Sequence, residues 1–131
     1  MGKILETNDI ISKLSKEYNV NIVQVINGDE HCIANGVDNY ISTSHIAGDT
    51  MWVGMYTDEN LKIASIFHEF GHKIITQEFI KSVNYNSRAI EREVWKIGFE
   101  LAKTYDIYFP IYVYKWAVKN FKTYKDGYEK R

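Results

Sequence analysis

The stretch LKIASIFHEFGHKIITQEF, residues 61–79, decides how this chain is read. At its centre lies His68-Glu69-Phe70-Gly71-His72, an H-E-x-x-H pattern within a run of helical periodicity. Positions i and i+4 of a helix sit one above the other on the same face, so both imidazoles can reach one metal ion. Two neutral imidazole nitrogens suit zinc, whose ligands stand about 2.0–2.3 Å away. Glu69 is turned roughly 100° from His68, which carries it toward a metal-bound water rather than toward the metal. That is where a general base stands. Leu61, Ala64, Phe67 and Ile74 form the apolar stripe, and Thr57 or Asp58 is the predicted N-cap. Gly71 costs a helix interior about 0.5–1 kcal/mol relative to alanine, and close approach by another element would account for it. A lone helical histidine is ordinarily a packed or surface residue. The paired spacing, with a glutamate between, favours a metal site.

Two histidines do not complete such a site, because a catalytic zinc takes three protein ligands and keeps a fourth position for water. His31, Cys32 and His45 precede the helix, on or near predicted strands. The next helical period, over residues 88–105, offers Glu91 and Glu93. Two residues apart, they point about 200° from each other. Ile90, Val94, Trp95, Ile97, Gly98 and Leu101 mark one broad side, and Glu91 falls within it; Glu93 lies with Arg92, Lys96, Glu100 and Lys103. A carboxylate on an apolar face needs a compensating partner, and a metal ion is one. Glu91 is the expected third ligand and Glu93 the alternative, although an ordinary surface ion pair suffices for Glu93 and Glu100.

Outward from this centre, residues 8–18 form a predicted amphipathic helix, capped by Asn8 or Asp9 and burying Ile10, Ile11, Leu14 and Tyr18. Residues 20–26 are rich in β-branched side chains and end at Asn27-Gly28; residues 31–34 end at Asn35-Gly36. Further strands are predicted over 39–43 and 50–56, with Gly48-Asp49 between them. Short strands joined by such turns predict an antiparallel meander. Residues 81–87 read as a loop. Pro110 opens a last helix that carries Val113, Trp116, Ala117 and Phe121 inward. The expected class is α+β, as one domain over residues 1–131 with N- and C-terminal helices.

The 45% apolar and 25% charged fractions are those of an ordinary globular protein. A net charge of −1 gives no overall drive toward nucleic acid or anionic membrane. Lys115, Lys119, Lys122, Lys125, Lys130 and Arg131 make the tail basic, but a solvated helix face explains them, and nucleic-acid binding is not expected. The single cysteine, Cys32, fits a reducing compartment and a small buried residue. No secretory leader and no apolar run of about 20 residues is present, so a cytoplasmic protein without membrane partners is expected.

The pattern His68-Glu69-x-x-His72 followed by Glu91 resembles the gluzincin arrangement. The segments SIFHEFGHKII and IEREVWKIGFELAK are most similar to the small ImmA/IrrE-type metallo-endopeptidases of bacteria, phages and mobile elements. The resemblance covers roughly residues 50–105. It implies a minimal zincin-like domain, a short antiparallel sheet packed on an H-E-x-x-H helix and a glutamate-bearing helix. It also implies bound zinc, proteolysis, and a protein or peptide substrate such as a transcriptional regulator, often a repressor. Gluzincins commonly carry Asp or Asn four residues after the ligand glutamate. Here Trp95 stands at that position, and an indole N–H can only donate.

The expected chemistry is hydrolysis of a peptide bond by metal-activated water, with Glu69 as general base and His68, His72 and Glu91 as ligands. His45, Tyr85 and Tyr112 are alternative donors to the developing oxyanion. A substrate would add as a strand along residues 51–55 if that strand lay at an edge. The rival expectation is a non-catalytic zinc-stapled module that contacts a regulator. A staple needs both histidines but not Glu69.

Overall fold

A computed structural model of the chain describes residues 7–24, 44–53 and 58–122. Helix α1, Thr7–Tyr18, buries Ile10 and Leu14 and packs Ile11 and Tyr18 against the core, as the 3.6-residue period requires. It ends at Asn19, whose positive φ of 54° turns the chain into strand β1, Asn21–Gln24. Strands β2, Ser44–Ala47, and β3, Thr50–Val53, form a hairpin around Gly48-Asp49. Gly48 has φ 60°, a conformation open to glycine without steric cost.

The sheet has the order β1-β3-β2 and is mixed, not the expected antiparallel meander. β2 runs antiparallel to β3, whereas β1 runs parallel to it. A parallel pair needs a crossover of a dozen or more residues, and the connection from β1 to β3 runs from residue 25 to residue 49 and includes β2. The Asn-Gly turns and the strands predicted over 31–34 and 39–43 lie outside the described residues, while β2 was not anticipated. Across the sheet, Ile22 and Ile46 both stand opposite Met51 in register. All three face the core, and Met51 and Val53 are fully buried.

The central helix, α2, spans Glu59–Ile74. Of the two predicted caps it uses Asp58, whose Oδ1 accepts from the Leu61 backbone N–H at 3.1 Å. Its core face is Ile63, Ala64, Ile66, Phe67 and Phe70, with Leu61 partly covered. Ile74 is 39% exposed, so the apolar stripe stops short of it. The helical run through residue 79 is likewise interrupted. Thr76 accepts from the Phe79 N–H and caps a separate short helix, α3, Gln77–Ser82, where part of a loop was expected. The β-branched run Ile74-Ile75-Thr76 weakens helix continuation just where Thr76 offers a new cap.

Helix α4, Ser87–Thr104, starts at Asn86, whose side chain accepts from the Ala89 N–H. Helix α5, Ile111–Phe121, follows Pro110 and buries Val113 and Ala117, with Trp116 and Phe121 packed at the margin. The α2–α4 crossing is close, and glycine permits it. A Cβ built on Gly71 would stand 2.2 Å from the Val94 carbonyl oxygen, and one on Gly98 would stand 2.7 Å from that of Phe67. The number rises along α2 as it falls along α4, so the helices run antiparallel with a fixed phase. No helix among the described residues is long and apolar enough to cross a membrane.

Candidate metal centre

The two glycine contacts bracket His68 on α2 and Trp95 on α4, and His72 and Glu91 lie just beyond the Gly71–Val94 contact. With backbones this close and this phase, the histidine face of α2 meets the Glu91 side of α4. His68 Nε2 lies 3.0 Å from Glu91 Oε1, and His72 Nε2 lies 3.1 Å from Glu91 Oε2. One carboxylate thus spans two imidazoles a helical turn apart. It is 6% exposed, near the N-terminal end of α4, on the side that packs against α2. The histidine rings themselves stand edge to face, with centroids 4.8 Å apart.

Glu69 is also 6% exposed, and its Oε2 lies 3.1 Å from His68 Nδ1. Ligand atoms of His68, Glu69 and His72 all fall within 4.8 Å of one another. By proximity alone, Glu69 or Glu91 completes a set of three. The bonding distinguishes them. Glu69 occupies the Nδ1 side of His68, whereas Glu91 faces the Nε2 atoms of both histidines. A carboxylate that accepts from Nδ1–H leaves Nε2 as the coordinating nitrogen. Two Nε2 atoms with Glu91 form the His₂Glu donor set that suits zinc. Glu93 has no part in this group.

The electrostatics follow from burial and contact. Burial opposes the charged form of His68, but hydrogen bonds to Glu69 and Glu91 and their negative charges outweigh it and raise its pKa to about 9. Burial pushes Glu91 upward; its hydrogen bonds to His68 and His72 and their charge prevail and hold it at about 2. Without metal, the carboxylate therefore faces an imidazolium. A cation in this position is already accommodated, and a divalent ion would take the place of the proton on Nε2.

The remaining sequence candidates stand elsewhere. Tyr112 donates to Asp58 Oδ2 at 2.8 Å and accepts from Asn60 Nδ2 at 3.1 Å, at the N-terminus of α2. That is roughly 15 Å of helix from His68, so Tyr112 belongs to the cap. Tyr85, 43% exposed with φ 59°, lies in the turn before α4, at the end that carries Glu91. His45 stands on β2 opposite Trp52. The side chain of His45, together with His31 and Cys32, lies outside the described residues.

One neighbour of the site was not anticipated. The Trp95 indole stacks on the His68 ring, with centroids 4.1 Å apart and planes 23° from parallel. The available signal was its i+4 spacing from Glu91, which puts both on the same face of α4. Comparison with known protein families, curated proteins and solved structures finds no match for this chain.

Proposed function

We propose that the chain is a zinc-dependent metallo-endopeptidase of minimal zincin-like form. The observation that carries this reading is the buried Glu91 carboxylate spanning the Nε2 atoms of His68 and His72 at 3.0 and 3.1 Å. The resemblance of SIFHEFGHKII and IEREVWKIGFELAK to ImmA/IrrE-type enzymes supports the same conclusion. It points to a cytoplasmic regulatory protein of a phage or mobile element as substrate.

In this reading His68, His72 and Glu91 hold the ion. Zinc bound there supplies Lewis acidity, lowering the pKa of a water toward 7 and polarising a carbonyl. Glu69 accepts the water proton and passes it to the leaving amine. In this structure the Glu69 carboxylate rests on His68 Nδ1, so serving as base requires its side chain to turn toward the Nε2 side. The strand suited to adding an extended substrate is β2 rather than β3. β3 is paired on both sides, whereas β2 has one neighbour among the described residues and packs against α2.

A specific observation favours a second reading. In this structure Glu69 is bonded to His68 Nδ1, a supporting role that a non-catalytic zinc-stabilised module contacting a regulator would also use. Glu69→Gln separates the two, because the amide oxygen still accepts from Nδ1–H while the base is gone. The enzyme reading expects zinc and fold retained and hydrolysis of a peptide library abolished. A zinc-loaded wild-type chain that cleaves nothing, or a Glu69→Gln chain that cleaves equally well, overturns it.

A further inference from the structure

A buried tryptophan is ordinarily core, and two of the ring contacts of Trp95 fit that description. It lies 5.5 Å from Phe99 and 5.5 Å edge-on from Trp116 of α5, and is 5% exposed. The third contact differs. At 4.1 Å and 23°, the stack on His68 is nearer than the other ring contacts of Trp95. It covers the face of a ring whose two nitrogens are both engaged, Nδ1 by Glu69 and Nε2 by Glu91.

We infer that Trp95 is a positioning residue for His68, fixing the plane of its imidazole by stacking so that Nε2 points into the space shared with His72 and Glu91. This inference rests on the metal-centre reading above. The physical need is specific. A hydrogen bond at Nδ1 fixes one point on the ring edge but not the ring plane, and its acceptor sits on a rotatable glutamate side chain. When an ion replaces the Nε2 proton, the direct contact with Glu91 becomes a shared coordination, and the stacked face is what keeps the plane set. Trp116 packs edge-on against the indole, so α5 backs the site through Trp95. The indole face also favours a positively charged metal–imidazole unit over the neutral ring, and its bulk keeps water from that side of the ligand.

The test uses the full chain and three variants. Zinc affinity is read by competition with a chromophoric chelator, and the histidine ring protons are read by NMR in metal-free protein. Trp95→Phe, which keeps an aromatic face, stays within about threefold of wild type; Trp95→Met, which keeps bulk without a ring, weakens binding about 10- to 100-fold, the range for lost support of a metal-bound histidine. Phe99→Leu thins the same aromatic cluster without touching His68, and should lower thermal stability while leaving zinc affinity near wild type. Equal affinities for Trp95→Met and Trp95→Phe, or an equal loss in Phe99→Leu, overturn the inference. If Trp95→Met does not fold, the metal-free wild type decides. His68 must hold one rotamer with ring protons shifted upfield of those of His72, and a rotamer-averaged His68 ring overturns the inference. A wild-type chain that takes up no zinc removes the metal reading instead, while the NMR comparison still tests the stack.

Discussion

Two carboxylates tie α2 to its neighbours, and each takes two hydrogen bonds. At the N-terminus, Asp58 accepts from the Leu61 N–H through Oδ1 and from the Tyr112 hydroxyl through Oδ2. At the centre, Glu91 meets His68 through Oε1 and His72 through Oε2. The first is accounted for by the helix it caps, since an exposed helix start leaves backbone N–H groups to satisfy. Its pKa is held low chiefly by the Tyr112 hydrogen bond, with backbone hydrogen bonds adding to it against the opposing effect of burial. The second satisfies no backbone group. It puts a charge into a helix crossing where apolar side chains of similar volume are often as stable or more so. The architecture does not need Glu91 at that place, whereas the proposed cation would.

The comparison breaks most visibly under substitution. Glu91→Ala is expected to weaken zinc binding by more than about a hundredfold, beyond the usual cost of losing a merely supporting residue, while Glu93→Ala leaves it unchanged in the same titration. Equal losses in both would return Glu91 to the ordinary class of polar contacts.

Next in size is the crossing that brings the two helices together. Helix propensity alone predicts that Gly71→Ala stabilises the chain. The contact with the Val94 carbonyl predicts the reverse, a loss of about 1–3 kcal/mol from overpacking, read from denaturant midpoints. Zinc affinity should fall with it, because the same crossing sets the spacing of His72 and Glu91.

Asp58→Ala sharpens the contrast from the other side. It should cost about 1 kcal/mol of stability as a lost N-cap, with zinc binding untouched. A large change in zinc affinity would mean that the two regions are coupled.

The smallest effect is one of pH on the metal-free protein. His68 has a folded pKa of about 9, above its ordinary 6.5, so its contribution is complete below 6.5 and fades as pH rises through 9. Glu91, at about 2 against an ordinary 4.5, contributes fully above 4.5 and less as pH falls through 2. Thermal melts of metal-free chain should therefore show a maximum between about pH 4.5 and 6.5. Glu91→Ala removes one of the two groups and, beside Glu69, one of the two carboxylates that raise the other, and should flatten that maximum.

How much was legible in the sequence follows from how local each feature is. The i, i+4 pairing of His68 and His72 needs only a helix, and Glu91 needs only the phase of a second one. The bringing together of these three could thus be read from periodicity. Gly71 could be flagged as a close approach, but Val94 as its neighbour could not, because that depends on helix register. The sheet was misread because β1 pairs in parallel with a strand far along the chain, and such pairing leaves no local mark. Thr76 was missed because a capping threonine inside a helical period is visible only once the helix is seen to stop. Trp95 was recognised as a departure from the gluzincin pattern, but the stack that it forms is a property of two helices together.

The most direct measurement is the zinc content and zinc-dependent melting of the full chain, purified without metal-affinity columns or added chelator. The account predicts about one zinc per chain, with the melting temperature rising as free zinc exceeds its dissociation constant. A chain that holds no zinc, takes up none when it is supplied, and melts at the same temperature either way would contradict the metal centre. The proposed peptidase would fall with it.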